Sequence, residues 1–145
     1  MTTTAEHPIL LVADDDADDR YLLKSAFDES GIRGSILFVE DGLDLLDFLN
    51  QTGRHIDQLK MPGLILLDLN MPKKDGRTVL KELKGRPEYQ HIPVVVFSTS
   101  KSPDEIRHLY RLGANSFIVK PSSFELLLQV MQNLGRYWLD TVVLP

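Results

Sequence analysis

Five side chains with reactive or ionic chemistry stand where apolar runs stop. Asp14 and Asp15 close Ile9-Leu10-Leu11-Val12-Ala13, Asp68 closes the run from Gly63 to Leu67, Ser98 follows Ile92 to Phe97, and Lys120 follows Ser116 to Val119. Each alone has an ordinary reading: a helix cap, a turn serine, a solvated lysine. Their recurrence at run after run asks for a joint one. Crowded carboxylates repel, by about 4 kcal/mol at ~4 Å and a near-surface dielectric before relaxation. A proton or a cation must relieve that repulsion. With no cysteine in the chain and His7, His55, His91 and His108 scattered along it, the ligands on offer are oxygens, which suit Mg²⁺. A cation, an ammonium and a hydroxyl together can surround three phosphoryl oxygens, so the chemistry indicated is electrostatically assisted phosphoryl transfer. Asp68 is the expected nucleophile. A carboxylate with a reference pKa of about 3.9 is already ionised at neutral pH and needs no general base; its attack on phosphorus gives an aspartyl phosphate.

The elements that must position these groups alternate along the chain. Ile9–Ala13 reads as a strand buried on both faces. Asp16 can cap a first helix, with Asp18 and Asp19 in its first turn where the helix dipole favours negative charge; Leu22, Leu23, Ala26 and Phe27 recur at helical spacing until Gly31 stops it. Residues 35–39 form a short strand, and Leu45, Leu46, Phe48 and Leu49 mark helix two. A polar connection, residues 52–62, leads to the Asp68 strand, then helix three from about Arg77 to Lys84. Strand four is Ile92 to Phe97. Ser102-Pro103-Asp104-Glu105 is a capping box with Pro at the first helical position and opens helix four. Strand five is Ser116 to Val119, and Ser122 or Ser123 caps helix five, which runs to about Trp138. Five strands alternating with five helices imply βαβ units in one parallel sheet with right-handed crossovers. All carboxyl ends then share one edge, where ligands bind in open α/β sheets.

The 145 residues are expected to form a single domain, 1–145, with a core over about 8–138 and a short apolar tail, 139–145. Hydrophobic content of 43% and charged content of 26% are ordinary for a globular protein. A net charge of −5 disfavours nucleic acid as a partner. Lys73, Lys74, Arg77, Lys81 and Lys84 are the one basic cluster, and the helical spacing of the last three favours a solvated helix face. Residues 1–8 lack the features of a signal peptide and no apolar run approaches a membrane span, so a cytoplasmic location is expected.

With these residues in place, the chain resembles the receiver domain of two-component response regulators over about residues 8–138. The resemblance is carried by VADDD near the start, LLDLNMPKKDG in the middle, then VVVFSTS and GANSFIVKP. It implies a flavodoxin-like (βα)5 doubly wound parallel sheet with strand order 2-1-3-4-5. It implies that Asp15, Asp68 and the backbone carbonyl of Asn70 bind Mg²⁺, with Asp14 acting mainly through water. It further implies that Asp68 is phosphorylated by a sensor histidine kinase, that Ser98 is the switch hydroxyl and Phe117 the switch aromatic, and that Lys120 binds the phosphoryl group. The Lys120–Pro121 bond becomes a cis candidate. Output would pass through the surface of helix four, strand five and helix five, since no output domain follows. The long connection before strand three, the DLNMPKKDGR wording and the RYWLDTVVLP ending resemble the small stand-alone regulators paired with phytochromes. Ser98 stands where Thr is commoner, and Phe117 where Tyr is frequent.

Two other readings compete with this one. Aspartate-nucleophile phosphatases carry a second Asp two residues after the nucleophile; here that residue is Asn70, so rapid turnover is not expected and the protein reads as a phosphoacceptor that catalyses only its own modification. A phosphorylation-independent docking module would be expected to lack one of the key residues, and none is missing. Finally, helix five carries a core stripe (Phe124, Leu127, Leu128, Met131, Leu134) and a second one at Leu126, Val130 and Tyr137, extended by Trp138. That surplus suggests a homodimer interface, against the alternative that the tail folds back over its own domain.

Overall fold

The computed structural model describes residues 7–145, so the reading of residues 1–6 as free of a leader lies outside the described residues. Five strands, β1 (Ile9–Ala13), β2 (Ser35–Val39), β3 (Leu64–Leu67), β4 (Val94–Ser98) and β5 (Ser116–Val119), alternate with five helices, α1 (Ala17–Ser30), α2 (Gly42–Asn50), α3 (Gly76–Gly85), α4 (Pro103–Leu112) and α5 (Phe124–Arg136). The strands pair in parallel, in the order β2-β1-β3-β4-β5. This is the parallel sheet expected from the alternation, in the flavodoxin-like order that the resemblance implies.

Strand periodicity sorts the core into two layers. Leu11, Ala13, Ile65, Leu67, Val94 and Val96 face α2, α3 and α4. Leu10, Val12, Leu64, Leu66, Val95 and Phe97 face α1 and α5. Both faces are covered, which is why β1, β3 and β4 read as unbroken apolar runs rather than alternating ones. Each fully buried Leu or Ile contributes roughly 1.5–3 kcal/mol.

Each of the five α-helices starts at the carboxyl edge of the sheet under a side-chain cap. Asp16 accepts from the amides of Asp18 and Asp19, Asp41 from Asp44, Asp75 from Arg77, Ser102 from Glu105 and Ser123 from Leu126. The caps bind amides that the helix itself leaves unpaired and fix where each strand-end loop turns. At the far ends, Gly31 (φ 76°) and Gly113 (φ 112°) close α1 and α4 in the left-handed conformation that a Cβ disfavours. The polar connection before β3 holds a short 3-10 turn at Gly53–His55.

The boundaries of two elements differ from the sequence reading. β4 begins at Val94, because Pro93 cannot donate to a ladder. α5 ends at Arg136 and passes into a wider π-helical turn, Tyr137–Thr141, rather than running on to Trp138. Among the described residues no helix is long and apolar enough to cross a membrane.

Candidate phosphoryl-transfer site

Backbone bonds carry the sheet one residue past each of three strands. The Asp14 amide donates to the Val39 carbonyl at 3.1 Å, Asp68 to Ala13 at 3.0 Å, and Lys120 to Ser98 at 2.8 Å. The chemical side chains therefore sit on the last rigid rung of the sheet, not on free loops. Asp14 and Ser98 are each 1% exposed and Asp68 is 9% exposed, while Asp15 is open to solvent.

Glycines let the surrounding loops close in. A Cβ on Gly76 would meet the Asp68 carbonyl oxygen at 2.5 Å. One on Gly42 would meet Lys74 Cβ and its carbonyl oxygen at 2.4 Å. The loop that carries Asn70 is thus packed between the β2–α2 junction and its own return. Lys73, in the left-handed region at φ 65°, sits 3.4 Å from the buried Asp41 carboxylate and clamps the same loop.

Asp14, Asp15 and Asp68 offer carboxylate oxygens that all lie within 4.8 Å of one another. Lys120 reaches into the group. Its Nζ lies 3.2 Å from Asp19 Oδ2, 3.4 Å from Asp14 Oδ2 and 3.5 Å from Asp68 Oδ2, and 5.8 Å from the centroid of the Phe97 ring. Asp14 Oδ1 also accepts from the Asp16 amide at 2.9 Å, and Asp68 Oδ1 from the Asn70 amide at 3.4 Å.

Burial pushes the Asp14 carboxyl up to about 6; the Asp16 amide and Lys120 oppose that shift, and Asp68 and Asp19 add to it. Burial raises Asp68 as well, against Lys120 and the Asn70 amide, with Asp15 adding repulsion. For Lys120, burial alone would favour the neutral amine, but Asp14, Asp68 and Asp19 outweigh it and hold the ammonium above its ordinary value. Even beside the Lys120 ammonium, burial keeps the Asp14 and Asp68 carboxyls above their ordinary values. An all-oxygen, anionic pocket of this kind fits a hard divalent cation.

The structure brings together Asp14, Asp15, Asp68 and Lys120, with Asn70 one loop residue away and Ser98 at the end of the neighbouring strand. The Ser98 oxygen accepts from the Ser100 amide at 3.2 Å. Phe117 lies on β5, half-buried against the α2–α4 side of the core; its amide donates to the Tyr110 hydroxyl at 3.1 Å.

Val130, Tyr137 and Trp138 line a groove beside β5 with Asn115 and Ile118, whereas Leu126 sits apart from it. Leu126 and Tyr137 are 47% and 54% exposed, and Val130 and Trp138 are half-covered by the α1–α5 core. Part of the apolar tail does fold back: a Cβ on Gly63 would meet Leu144 Cδ1 at 2.8 Å.

Two expectations need correction. All peptide bonds among the described residues are trans, Lys120–Pro121 included; trans is the default for such bonds, and Lys120 reaches its carboxylates from it. The basic cluster is not a simple solvated face either. Lys74 pairs with Glu82, Arg77 with Asp75 and Glu105, and Lys84 donates to the Gln90 and Ile92 carbonyls.

Sequence reasoning missed Asp19 as a site residue and read it as a helix-dipole charge. The available signal was positional: the first turn of a helix that begins at the carboxyl edge overhangs that edge.

Residues 10–132 match the response regulator receiver domain family. The chain is 42% identical to the response regulator Rcp1 of Synechocystis sp. over 137 residues, covering 94% of this chain and 92% of that one. The Mn²⁺-bound form of Rcp1 is similar in structure, with a TM-score of 0.86 at 38% identity, covering 95% of this chain and 99% of the other. The phosphorylated cyanobacterial phytochrome response regulator RcpA gives a TM-score of 0.88 at 39% identity, covering 96% and 99%. RPA3017, a response regulator in red light signaling of R. palustris, gives 0.89 at 34%, covering 95% and 98%.

Proposed function

The chain belongs to the response regulator receiver domain family, and on that premise we propose that Asp68 accepts a phosphoryl group from a phosphohistidine of a sensor kinase. The observation that carries the reading is the Lys120 ammonium, 3.5 Å from Asp68 Oδ2 and 3.4 Å from Asp14 Oδ2, beside the Asp14, Asp15 and Asp68 carboxylates. An Asp68 oxygen bonds to phosphorus as the phosphorus–nitrogen bond breaks, and the imidazole leaves with the electron pair. Lys120 then donates to a phosphoryl oxygen. Asp14, Asp15, Asp68 and the Asn70 backbone carbonyl are the residues that would hold Mg²⁺, whose role is to neutralise charge on the phosphoryl oxygens. Asn70 offers no acid to speed hydrolysis, so the acyl phosphate persists long enough to signal. The protein acts as a signalling module rather than as an enzyme with turnover.

The switch follows from the same residues. Ser98 turns its hydroxyl toward the phosphoryl oxygen, Phe117 moves inward, and the face formed by α4, β5 and α5 rearranges. The kinase is a phytochrome, in the cytoplasm, a choice supported by the phytochrome and red-light regulators that this chain resembles. The output surface is a homodimer interface along α5, using Leu126, Val130, Tyr137 and Trp138.

Intact mass after incubation with Mg²⁺ and phosphoramidate should rise by one phosphoryl group in the wild type and not in Asp68→Asn. Equal labelling of both would remove Asp68 from its role.

A further inference from the structure

The receiver reading uses Asp14, Asp15, Asp68 and Lys120, and it leaves one carboxylate of the site without a task. Asp19 stands in the first turn of α1 and makes the shortest contact to Lys120 Nζ, 3.2 Å against 3.4 Å for Asp14 and 3.5 Å for Asp68. It is not part of the carboxylate group that can share a cation. Its side chain is 42% exposed, whereas that of Lys120 is 15% exposed. Asp19 therefore holds the ammonium from the solvent side while Asp14 and Asp68 hold it from within.

Resting on the proposal that Asp68 is the phosphoacceptor, we infer that Asp19 is a positioning residue that competes with the phosphoryl group for Lys120 and so restrains phosphorylation. Three carboxylates already engage an ammonium that has three donors. A phosphoryl oxygen can gain a full share of Lys120 only as one of them releases it, and the solvent-exposed partner is the one free to swing away. Until it does, its negative charge also opposes the approach of an anionic donor. The same charge has the opposite effect on a divalent cation, which it attracts toward the neighbouring carboxylates. One residue thus pulls the two ligands of the site in opposite directions. A purely structural role, as a helix-dipole charge in α1, predicts no such opposition.

The test compares Asp19→Asn with Asp18→Asn and Asp19→Glu. Asp18 lies in the same helical turn and is exposed, so its variant reproduces any loss of dipole stabilisation without touching Lys120. Two quantities are read: Mg²⁺ affinity by calorimetry on the unphosphorylated protein, and the initial rate of phosphoryl uptake from phosphoramidate at saturating Mg²⁺. In the uptake step the Asp68 oxygen bonds to phosphorus, the phosphorus–nitrogen bond breaks, and the nitrogen, already protonated in the donor, leaves as ammonia. Asp19→Asn should bind Mg²⁺ more weakly and take up phosphoryl faster, each by about two- to fivefold, the range for a partly exposed ion pair. Both effects should shrink in ~1 M salt, where the screening length is about 3 Å. Asp18→Asn should change neither, and Asp19→Glu should behave as wild type. The inference is overturned if Asp19→Asn matches Asp18→Asn in both readings, if both readings move in the same direction, or if uptake slows. Failure of the wild type to take up phosphoryl at all would instead overturn the assignment of Asp68.

Discussion

β3 and β5 are strands of one sheet, similar in length and composition, yet they are held very differently. All four residues of β3 are buried, as are all five of β1 and β4, whereas every residue of β5 is only half-buried. The helices follow the strands. α3 buries Gly76, Val79, Leu80 and Leu83, but α4, beside β5, buries only Leu109 and leaves Tyr110 47% exposed. The carboxylates stand on the heavily packed strands, and Phe117 stands on the lightly packed one, which also carries Lys120 at its end, where the Lys120 amide bonds back to Ser98 of β4. Chemistry needs groups held in one geometry; a readout needs an element with two arrangements of similar energy. The difference in burial supplies both within one sheet.

The sharpest way to break this comparison is to cut the same amount of side chain from each strand. Leu66→Ala, in the middle of β3, should cost about 2–5 kcal/mol, as expected for a fully buried leucine. Ile118→Ala, half-buried on β5, should cost clearly less, under about 2 kcal/mol. Urea unfolding of both variants measures it, and equal losses would show that β5 is held as firmly as β3.

A smaller effect should come from pH. Asp14 titrates near 6 in the folded protein, above the ordinary value of 3.8. The folded state therefore holds that proton more tightly than the unfolded state does. Asp14 favours the fold at low pH, and the contribution is lost as pH rises from about 4 through about 6. A divalent cation competes with this proton, so the rise in Tm caused by Mg²⁺ should be larger at about pH 8 than at about pH 5. The reverse order would separate Asp14 from the cation site.

The smallest effect on stability should come from the α5 face. Val130→Glu should change unfolding by less than about 1 kcal/mol, because the side chain is only half-buried, yet it should abolish the proposed homodimer in light scattering. A wild type that stays monomeric with and without phosphorylation would sharpen the comparison differently, leaving the exposed α5 face to a different partner.

The comparison also explains what could be read in advance. The alternation of strands and helices, capping by Asp16 and Ser102, and the convergence of Asp14, Asp15, Asp68 and Lys120 depend on periodicity and on where apolar runs stop, which are local signals, whereas the strand order 2-1-3-4-5 comes with the family resemblance. The missed features depend on side chains that meet across the fold. Lys120 finds Asp19 across 101 residues of chain. Arg77, read by helical spacing as solvated, turns toward Glu105 of α4 across 28. Leu144 packs over Gly63, a contact that the apolar composition of the tail leaves open because the same residues would serve a partner equally well. Such pairings depend on how far a flexible side chain can reach once the sheet has formed.

On the proposed function, this edge of the sheet makes an acyl phosphate on Asp68 and on no other residue. Borohydride reduces an aspartyl phosphate to homoserine, which peptide mass spectrometry can locate. After incubation with Mg²⁺ and phosphoramidate, homoserine should appear at position 68 alone, disappear when Mg²⁺ is chelated, and be absent from Asp68→Asn. Homoserine at position 14 or 15, or an acid-stable phosphoester on Ser98 in place of the acyl phosphate, would contradict this assignment.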